Sequence, residues 1–594
     1  MQLFVVGLGA SPPSTARLDE ALTRATVRVP SLADASHWSF VSRSGRLAIA
    51  ALSHDTARAS PRSYVVEGPD TIIWYDGLPL LPSGAGWDAR RLAERWESLP
   101  AELEGACVVG RADTAADVVE VVTDPLGMLR VYLTELPDGC QLISNSLLAL
   151  RALAQQDELD EIAAADFVSL GWIVGLRTIV SGVRVLPGGT TASFRVGGHE
   201  LRRYYDVEQV APEVGRRRPQ AAAVVESLVD LLRPLGSELE IHAALTAGRD
   251  SRLTLALLRA SGIEARYFTG GRDTDPDVQI ARLLALTFAV AHEVDRPVDL
   301  LEENVESAIP AFIAHTDGMA SLQQLRDIAA LLRDVPTLGV MISGLGGELA
   351  RSGTGFLGAF AANAWPVANL VSFQHRVLAA KSRSAIVAPE ALASTRANIR
   401  TELERYRETG WPTSSLGDAF YLFQRIGRWA ANGTRAASAS GDLVAPLITR
   451  PFVAAAVAGK PSDRYAEKLH FDLLDQVDPA LARVPFEVPR RTSNARLAPL
   501  NVAFRGLSLA ASRARPVIQR SNVAYGVDDT DHGSVVWNLQ RALHQARLEE
   551  APEDAPLFSV VPRRSLLDAV ASNERPSVDV LRALTLLWAV SPRR

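Results

Sequence analysis

Along the first 205 residues, short apolar runs such as SYVVEG, TIIWYDG, VVEVVTD and QLISNS are broken at close intervals by Gly, Pro, Asp and Ser. That rhythm predicts stacked or packed antiparallel sheets. The stretch GVRVLPGGTTASFRV (182–196) predicts a strand, a Pro-Gly-Gly turn and another strand. After Tyr204-Tyr205-Asp206 the period changes: PQAAAVVESLVDLLRPLGS spaces its apolar residues as an amphipathic helix does. EIHAALTAGRDSRLTLALLRASGIEARYFTGG then predicts strand, tight loop, helix, strand. Such a βαβ unit implies a parallel sheet with ligand chemistry at the C-terminal ends of its strands. The remainder, to Arg594, is mainly Ala-, Leu- and Arg-rich helix with short loops. The boundary falls near 205–220, which gives an α/β chain of two domains, 1–205 and 206–594: a β-sheet sandwich, then a parallel sheet with many helices.

Composition narrows the class. A chain of 594 residues that is 47% hydrophobic and 22% charged, with net charge −6, is apolar enough to bury several cores without a disulfide or zinc staple. Cys107 and Cys140 cannot build a disulfide framework, and their scarcity suits a reducing cytoplasm. No uninterrupted apolar run reaches the ~18 residues of a membrane span. The start, MQLFVVGLGASPPS, lacks the basic region and cleavage site of an export signal, so a cytoplasmic location is expected. The balanced charge gives no general case for nucleic acid. Lys381, Lys460 and Lys468 are the only lysines among 62 Lys+Arg, which constrains any mechanism that needs one. The segment 483–520 carries eight Arg against one acid, Glu487: either a solvated helical face, or a field for phosphates or an acidic peptide.

The strongest local signal is Leu245-Thr246-Ala247-Gly248-Arg249-Asp250-Ser251-Arg252, between the apolar EIHAAL and the helical RLTLALLRA. Small residues let a backbone approach an anion, and a helix N-terminus offers free N–H groups with a positive dipole end. Thr246 and Ser251 add hydroxyls, and Asp250 is placed to hold Mg²⁺ over a pyrophosphate. The ordinary P-loop is excluded, because its lysine is missing.

TAGRDS resembles the SGGxDS pyrophosphate loop of the N-type ATP pyrophosphatases, the superfamily that includes asparagine synthetase. Tyr267-Phe268-Thr269-Gly270 then resembles the strand end that lines the family's adenine pocket. TDPDVQIARLLALTFAVAHEVD resembles the following helix and strand, which end here in His292-Glu293. VPTLGVMISGLGGELAR resembles the family's SGEGADE loop, with Ser343 and Gly344 as the opening pair and Glu348 at the second metal-binding acid. Upstream, residues 103–133, 143–150 and 169–194 resemble the family's N-terminal glutamine amidotransferase motifs. The resemblance implies an αββα amidotransferase-like sandwich followed by a parallel-sheet ATP pyrophosphatase domain, with ATP and Mg²⁺ as cofactors. It places Leu245, Thr246, Ala247, Gly248, Asp250, Ser251, Thr269, Ser343 and Gly344 at the nucleotide, and Asp250 and Glu348 at the metal.

Departures from the family sharpen the expectation. Its glutamine-dependent members begin with a nucleophilic Cys. Gln2 stands there instead, and neither Cys107 nor Cys140 can occupy a chain start. The family's Asn-Gly-Glu site is Asp76-Gly77-Leu78, and an acid facing a developing oxyanion repels it. The resemblance therefore implies a lost glutaminase and a retained synthetase. The latter joins a carboxylate to an amine through an acyl-adenylate, as in β-lactam synthetases and lasso peptide macrocyclases. A lasso cyclase would imply a ribosomal precursor peptide, a leader peptidase and a leader-binding protein as partners. Leu345 replaces the Glu or Tyr that follows Ser-Gly in relatives, which speaks against a Tyr–Glu dyad of the β-lactam type. Arg490 and Arg491 fall where the catalytic lysine is expected, while Lys468 matches a different, upstream one. They are the candidates for charge stabilisation, against plain surface charge. Asp317-Gly318-Met319 is read as a loop cap or a substrate-pocket lining. A non-catalytic scaffold or binding protein and an ammonia-dependent ligase stay open beside the cyclase.

Overall fold

The computed structural model describes residues 2–26, 35–53, 65–68, 70–82, 89–216, 220–237, 239–295, 305–324, 339–351, 366–378, 386–438, 441–486, 500, 541, 543–572 and 577–590. The chain is α/β, with two antiparallel sheets, one parallel sheet and many helices. The first sheet runs Arg184–Val185, Tyr132–Glu135, Gln141–Ser144, Gln2–Leu8, Leu47–Ser53, Ser36–Val41, antiparallel throughout. The second runs Gly198–Arg203, Thr190–Arg195, Val118–Thr123, Cys107–Asp113, Thr71–Gly77, Val65–Glu67, also antiparallel.

Side-chain alternation fixes how these sheets stack. Phe4, Val6 and Leu8 share one core with Trp74, Val108 and Val121 of the second sheet, and the Phe4 and Trp74 rings lie 5.7 Å apart. The intervening Leu3 and Val5 face the other way, onto the helices Thr15–Thr26, Leu147–Ala154 and Glu161–Leu170. On the far side of the second sheet, Ile73, Tyr75 and Val109 pack on Leu92, Trp96 and Leu99. The layers are helix, sheet, sheet, helix.

Residues 182–196 form the expected strand, Pro-Gly-Gly turn and strand, with the two strands in different sheets. Arg184–Val185 pairs in the first sheet and Thr190–Arg195 in the second, so Pro187-Gly188-Gly189 carries the chain between sheets. Gly189 has φ +62°, and a Cβ there would lie 1.9 Å from the Tyr205 carbonyl oxygen, so no other residue fits the crossover.

The third sheet is parallel and runs His292–Asp295, Arg266–Gly270, Ile241–Ala244, Val340–Ile342, Asp442–Val444. Helices Arg249–Ala260 and Pro276–Phe288 connect its first strands, as the apolar spacing predicts. The apolar core is continuous between the halves: the cluster containing Phe4 and Trp74 also holds Trp172, Ala243, Leu255 and Phe420. Polar ties cross at the same place. Arg450 lies 2.7 Å from the buried Glu104, and Arg435 lies 3.6 Å from Asp76 and 3.9 Å from Asp317.

Two buried acids give stability a pH dependence. Burial pushes Asp166 up to about 7, against hydrogen bonds from the Val174 N–H and the Asn398 amide; Asp124 is raised to about 7 in the same way. A folded-state value above the unfolded one stabilises fully at low pH and is lost as pH rises through 7. Asp166→Asn, which cannot ionise, is expected to flatten the decline between pH 4 and 7 and to gain about 1–3 kcal/mol over the parent at pH 8. Urea titrations at pH 5 and 8 check this; equal slopes in both proteins would refute it.

Candidate functional site

Counted along the chain, the parallel strands lie in the order third, second, first, fourth, fifth, so the direction of winding reverses between Ile241–Ala244 and Val340–Ile342. Loops leaving adjacent strands at such a reversal diverge and open a crevice at the C-terminal edge of the sheet. The two loops are those singled out in the sequence, starting at Leu245 and at Ser343. They touch: a Cβ on Gly344 would sit 2.9 Å from Asp250 Cβ, and one on Gly347 would sit 2.1 Å from Asp250 Oδ1. Glycine at 347 is what lets the second loop close on the carboxylate.

The first loop is braced by its own side chains. The Thr246 N–H donates to Ser251 Oγ at 3.1 Å and the Gly248 N–H to Thr246 Oγ1 at 3.1 Å, with the two hydroxyls 3.0 Å apart. Asp277, in the first turn of Pro276–Phe288, accepts the Ala247 N–H at 2.8 Å. Leu245 and Ala247 are buried, and the Thr269 hydroxyl donates to the Leu245 carbonyl while lying 2.8 Å from His292 Nε2. Thr246, Ser251 and Thr269 therefore set the loop's shape. In the second loop, Ser343 Oγ accepts the Leu345 N–H at 3.2 Å, a turn of the loop on itself.

Asp250 opens the helix Arg249–Ala260 and is the centre of a charged network. Its Oδ2 takes Arg351 Nη2 at 2.6 Å and its Oδ1 takes His470 Nε2 at 2.8 Å. Burial alone would raise this acid, but the Arg351 guanidinium, His470 and Arg249 outweigh it and hold Asp250 well below the usual carboxylate range. The same Arg351 Nη2 lies 3.0 Å from Glu348 Oε1, and Glu348 Oε2 accepts the Tyr421 hydroxyl at 2.8 Å. Burial and the Glu348 charge push that phenol well up, so it donates at neutral pH. Arg249 pairs at 3.1 Å with Glu467, a buried residue at φ +60°.

Asp250 and Glu348 thus converge on one cationic position, which a guanidinium fills. Among the described residues no three metal-ligating side chains converge. Two carboxylates around one cation are nevertheless the donor set Mg²⁺ takes when phosphate oxygens and water complete its shell. The residues present fit that ion.

Several of these residues were not apparent from sequence. Arg351 closes the stretch VPTLGVMISGLGGELAR, which the sequence singles out for its acid and not for its arginine, whereas Tyr421 and His470 come from distant elements that carry no such signal. Lys468, two residues before His470, pairs with Asp472 on its own helix at 2.7 Å. Arg490 and Arg491 lie outside the described residues. The chain enters that region from Phe486, whose ring stacks 3.8 Å over the Arg252 guanidinium. Asp317 caps a neighbouring helix: it accepts Ser146 Oγ at 3.3 Å and the Leu148 N–H at 3.4 Å. Asp76 accepts the Gln2 N–H at 2.9 Å and Asn145 Nδ2 at 2.8 Å, and so holds the first strand.

No family model matches the chain, and no curated protein matches it. Among solved structures it is similar to one described as the allosteric regulatory enzyme of purine biosynthesis, at 10% identity and TM-score 0.25, over 51% of this chain and 82% of that one. It is also similar to the glutamine phosphoribosylpyrophosphate amidotransferase from B. subtilis complexed with ADP and GMP. There the identity is 10% and the TM-score 0.25, over 59% of this chain and 77% of that one. Likeness at that level carries no functional argument. No helix among the described residues is long and apolar enough to cross a membrane.

Proposed function

We propose that the chain is an ATP-dependent, AMP-forming amide synthetase of the asparagine synthetase type, built on an N-terminal amidotransferase-like αββα sandwich that has lost its glutaminase. One observation carries the reading. The two loops that resemble the pyrophosphate and acidic loops of that family meet at the reversal of strand order, and their acids Asp250 and Glu348 share one cation.

In this reading a substrate carboxylate oxygen attacks the α-phosphorus of ATP and pyrophosphate leaves. A substrate amine then attacks the acyl carbon, and AMP leaves with the amine proton transferred away. Asp250 and Glu348 would hold Mg²⁺, which supplies charge neutralisation at the polyphosphate. The N-terminus of Arg249–Ala260 faces the same charge, and Arg249 and Arg351 add cations beside it. Arg490 or Arg491 would stabilise the adenylate. Supporting the loss of glutaminase, Gln2 stands where the thiol is required, and Asp76 is committed to the Gln2 N–H, Asn145 and Arg435. The nitrogen then comes from an amine in the substrate itself. A lasso peptide macrocyclase, acting on a ribosomal precursor alongside a leader peptidase and a leader-binding protein, is the favoured case.

A non-catalytic binding protein is the second reading, favoured by the engagement of both Asp250 oxygens and of the Thr246, Ala247 and Gly248 N–H groups. Calorimetry with Mg-ATP separates the two. The synthetase is expected to bind Mg-ATP with one site and, given its carboxylate, to exchange labelled pyrophosphate into ATP. Absence of Mg-ATP binding would overturn the proposal.

A further inference from the structure

The Arg351 guanidinium occupies the position where the two acids converge. Its Nη2 lies 2.6 Å from Asp250 Oδ2 and 3.0 Å from Glu348 Oε1, closer than any other cation reaches both among the described residues. Arg351 ends the short turn Gly347–Arg351 that also carries Glu348, so the side chain can swing away without moving either acid. Its guanidinium is not fully satisfied there, because the buried Nε–H has no partner among the described residues. His470 and Arg249 have other anchors: His470 lies 2.8 Å from Oδ1, the Asp250 oxygen that Arg351 does not take, and Arg249 is held by Glu467 at 3.1 Å.

A divalent ion approaching this pair meets acids already neutralised by a fixed cation. It must displace that cation, and alone it offers the guanidinium no new partner. A polyphosphate does offer one, since Arg binds phosphate oxygens bidentately. We propose that Arg351 is a resident counter-cation of the Asp250–Glu348 pair, exchanged for a divalent metal only when a nucleotide polyphosphate arrives to receive the guanidinium. The exchange makes metal and nucleotide binding mutually dependent, and by linkage each tightens the other by the same factor. It also keeps the free site closed to metal at cellular concentrations and positions Arg351 on the phosphates once the site is loaded. This inference rests on the reading that the site takes a magnesium nucleotide.

Mn²⁺ binding to the full-length protein, read by electron paramagnetic resonance of the free ion, tests it. The wild-type protein is expected to bind Mn²⁺ weakly alone and at least tenfold more tightly with the α,β-methylene analogue of ATP. Arg351→Met is expected to bind Mn²⁺ alone at least tenfold more tightly than wild type, with the analogue's enhancement largely lost. If Arg351→Met does not fold, Arg351→Lys, whose shorter ammonium reaches the pair less well, is expected to shift Mn²⁺ affinity at least threefold the same way. Equal Mn²⁺ affinity in wild type and variant, with the metal–analogue complex still bound, would overturn the exchange and leave the synthetase reading standing. Failure of every form to bind Mn²⁺ with the analogue would overturn both.

Discussion

Asp250→Asn is expected to lower pyrophosphate exchange by roughly 10³-fold, the scale set by removing one preorganised electrostatic group from an active site. The substitution keeps the shape of the side chain and one acceptor for Arg351 or His470, so the loops are expected to stay together. What it removes is the negative charge that Arg351, His470 and Arg249 stabilise at Asp250. Without that charge Glu348 is the only acid left at the shared cation position among the described residues, and the Mg²⁺ proposed there would keep one of two carboxylate ligands. The thermal midpoint is expected to fall modestly, because a cation beside a lost anion is destabilised even when part of the site is open to water. Exchange within tenfold of wild type would remove Asp250 from the chemistry.

Arg252→Met is expected to cost about 3–5 kcal/mol of stability, the largest effect of any single change at the site that leaves the acids in place. Arg252 is fully buried in the helix Arg249–Ala260, and its guanidinium donates to the carbonyls of Ala247, Leu481, Val484 and Pro485. Burial lowers it to about 10, which leaves it charged at neutral pH. Methionine fills much of the volume but donates nothing, so the carbonyls of the buried Ala247, Leu481 and Val484 are left with fewer partners. The loss is expected to be local as well as global: hydrogen exchange in 481–486 should rise before the rest of the molecule opens. A urea midpoint within about 1 kcal/mol of wild type would show that Arg252 does not anchor the segment.

The βαβ unit at 241–270 was legible because local signals agreed there: apolar strand, small-residue turn and a 3.6-residue period all point to one structure. The antiparallel strands of the first 205 residues were legible for the same reason. At Pro187-Gly188-Gly189 the residues by themselves show only a turn between two strands, since a turn sequence does not say which sheet receives the next strand. At the site, the resemblance drew attention to Asp250 and Glu348, but the cation between them was invisible. Arg351 is one arginine among many, and Tyr421 and His470 reach the acids only through tertiary packing. The sequence offers Thr246 and Ser251 as hydroxyls for a ligand, and the resemblance places Thr269 at the nucleotide; in the structure all three hydroxyls also brace the backbone of the loops. A hydroxyl near a turn competes for local backbone groups first, and sequence spacing does not separate the two uses.

Arg435 has a consequence for how such a chain evolves. Its buried guanidinium sits between Asp76 of the sandwich and Asp317 of the other half, and Asp317 in turn caps the helix Leu147–Ala154 through Ser146 and Leu148. Separation of the halves would part Arg435 from Asp76 and open to water the apolar core that both halves share. Gene fission would therefore yield stoichiometric subunits rather than two independent proteins. If the proposed loss of glutaminase holds, the sandwich would still be retained, because it covers the apolar core that it shares with the other half.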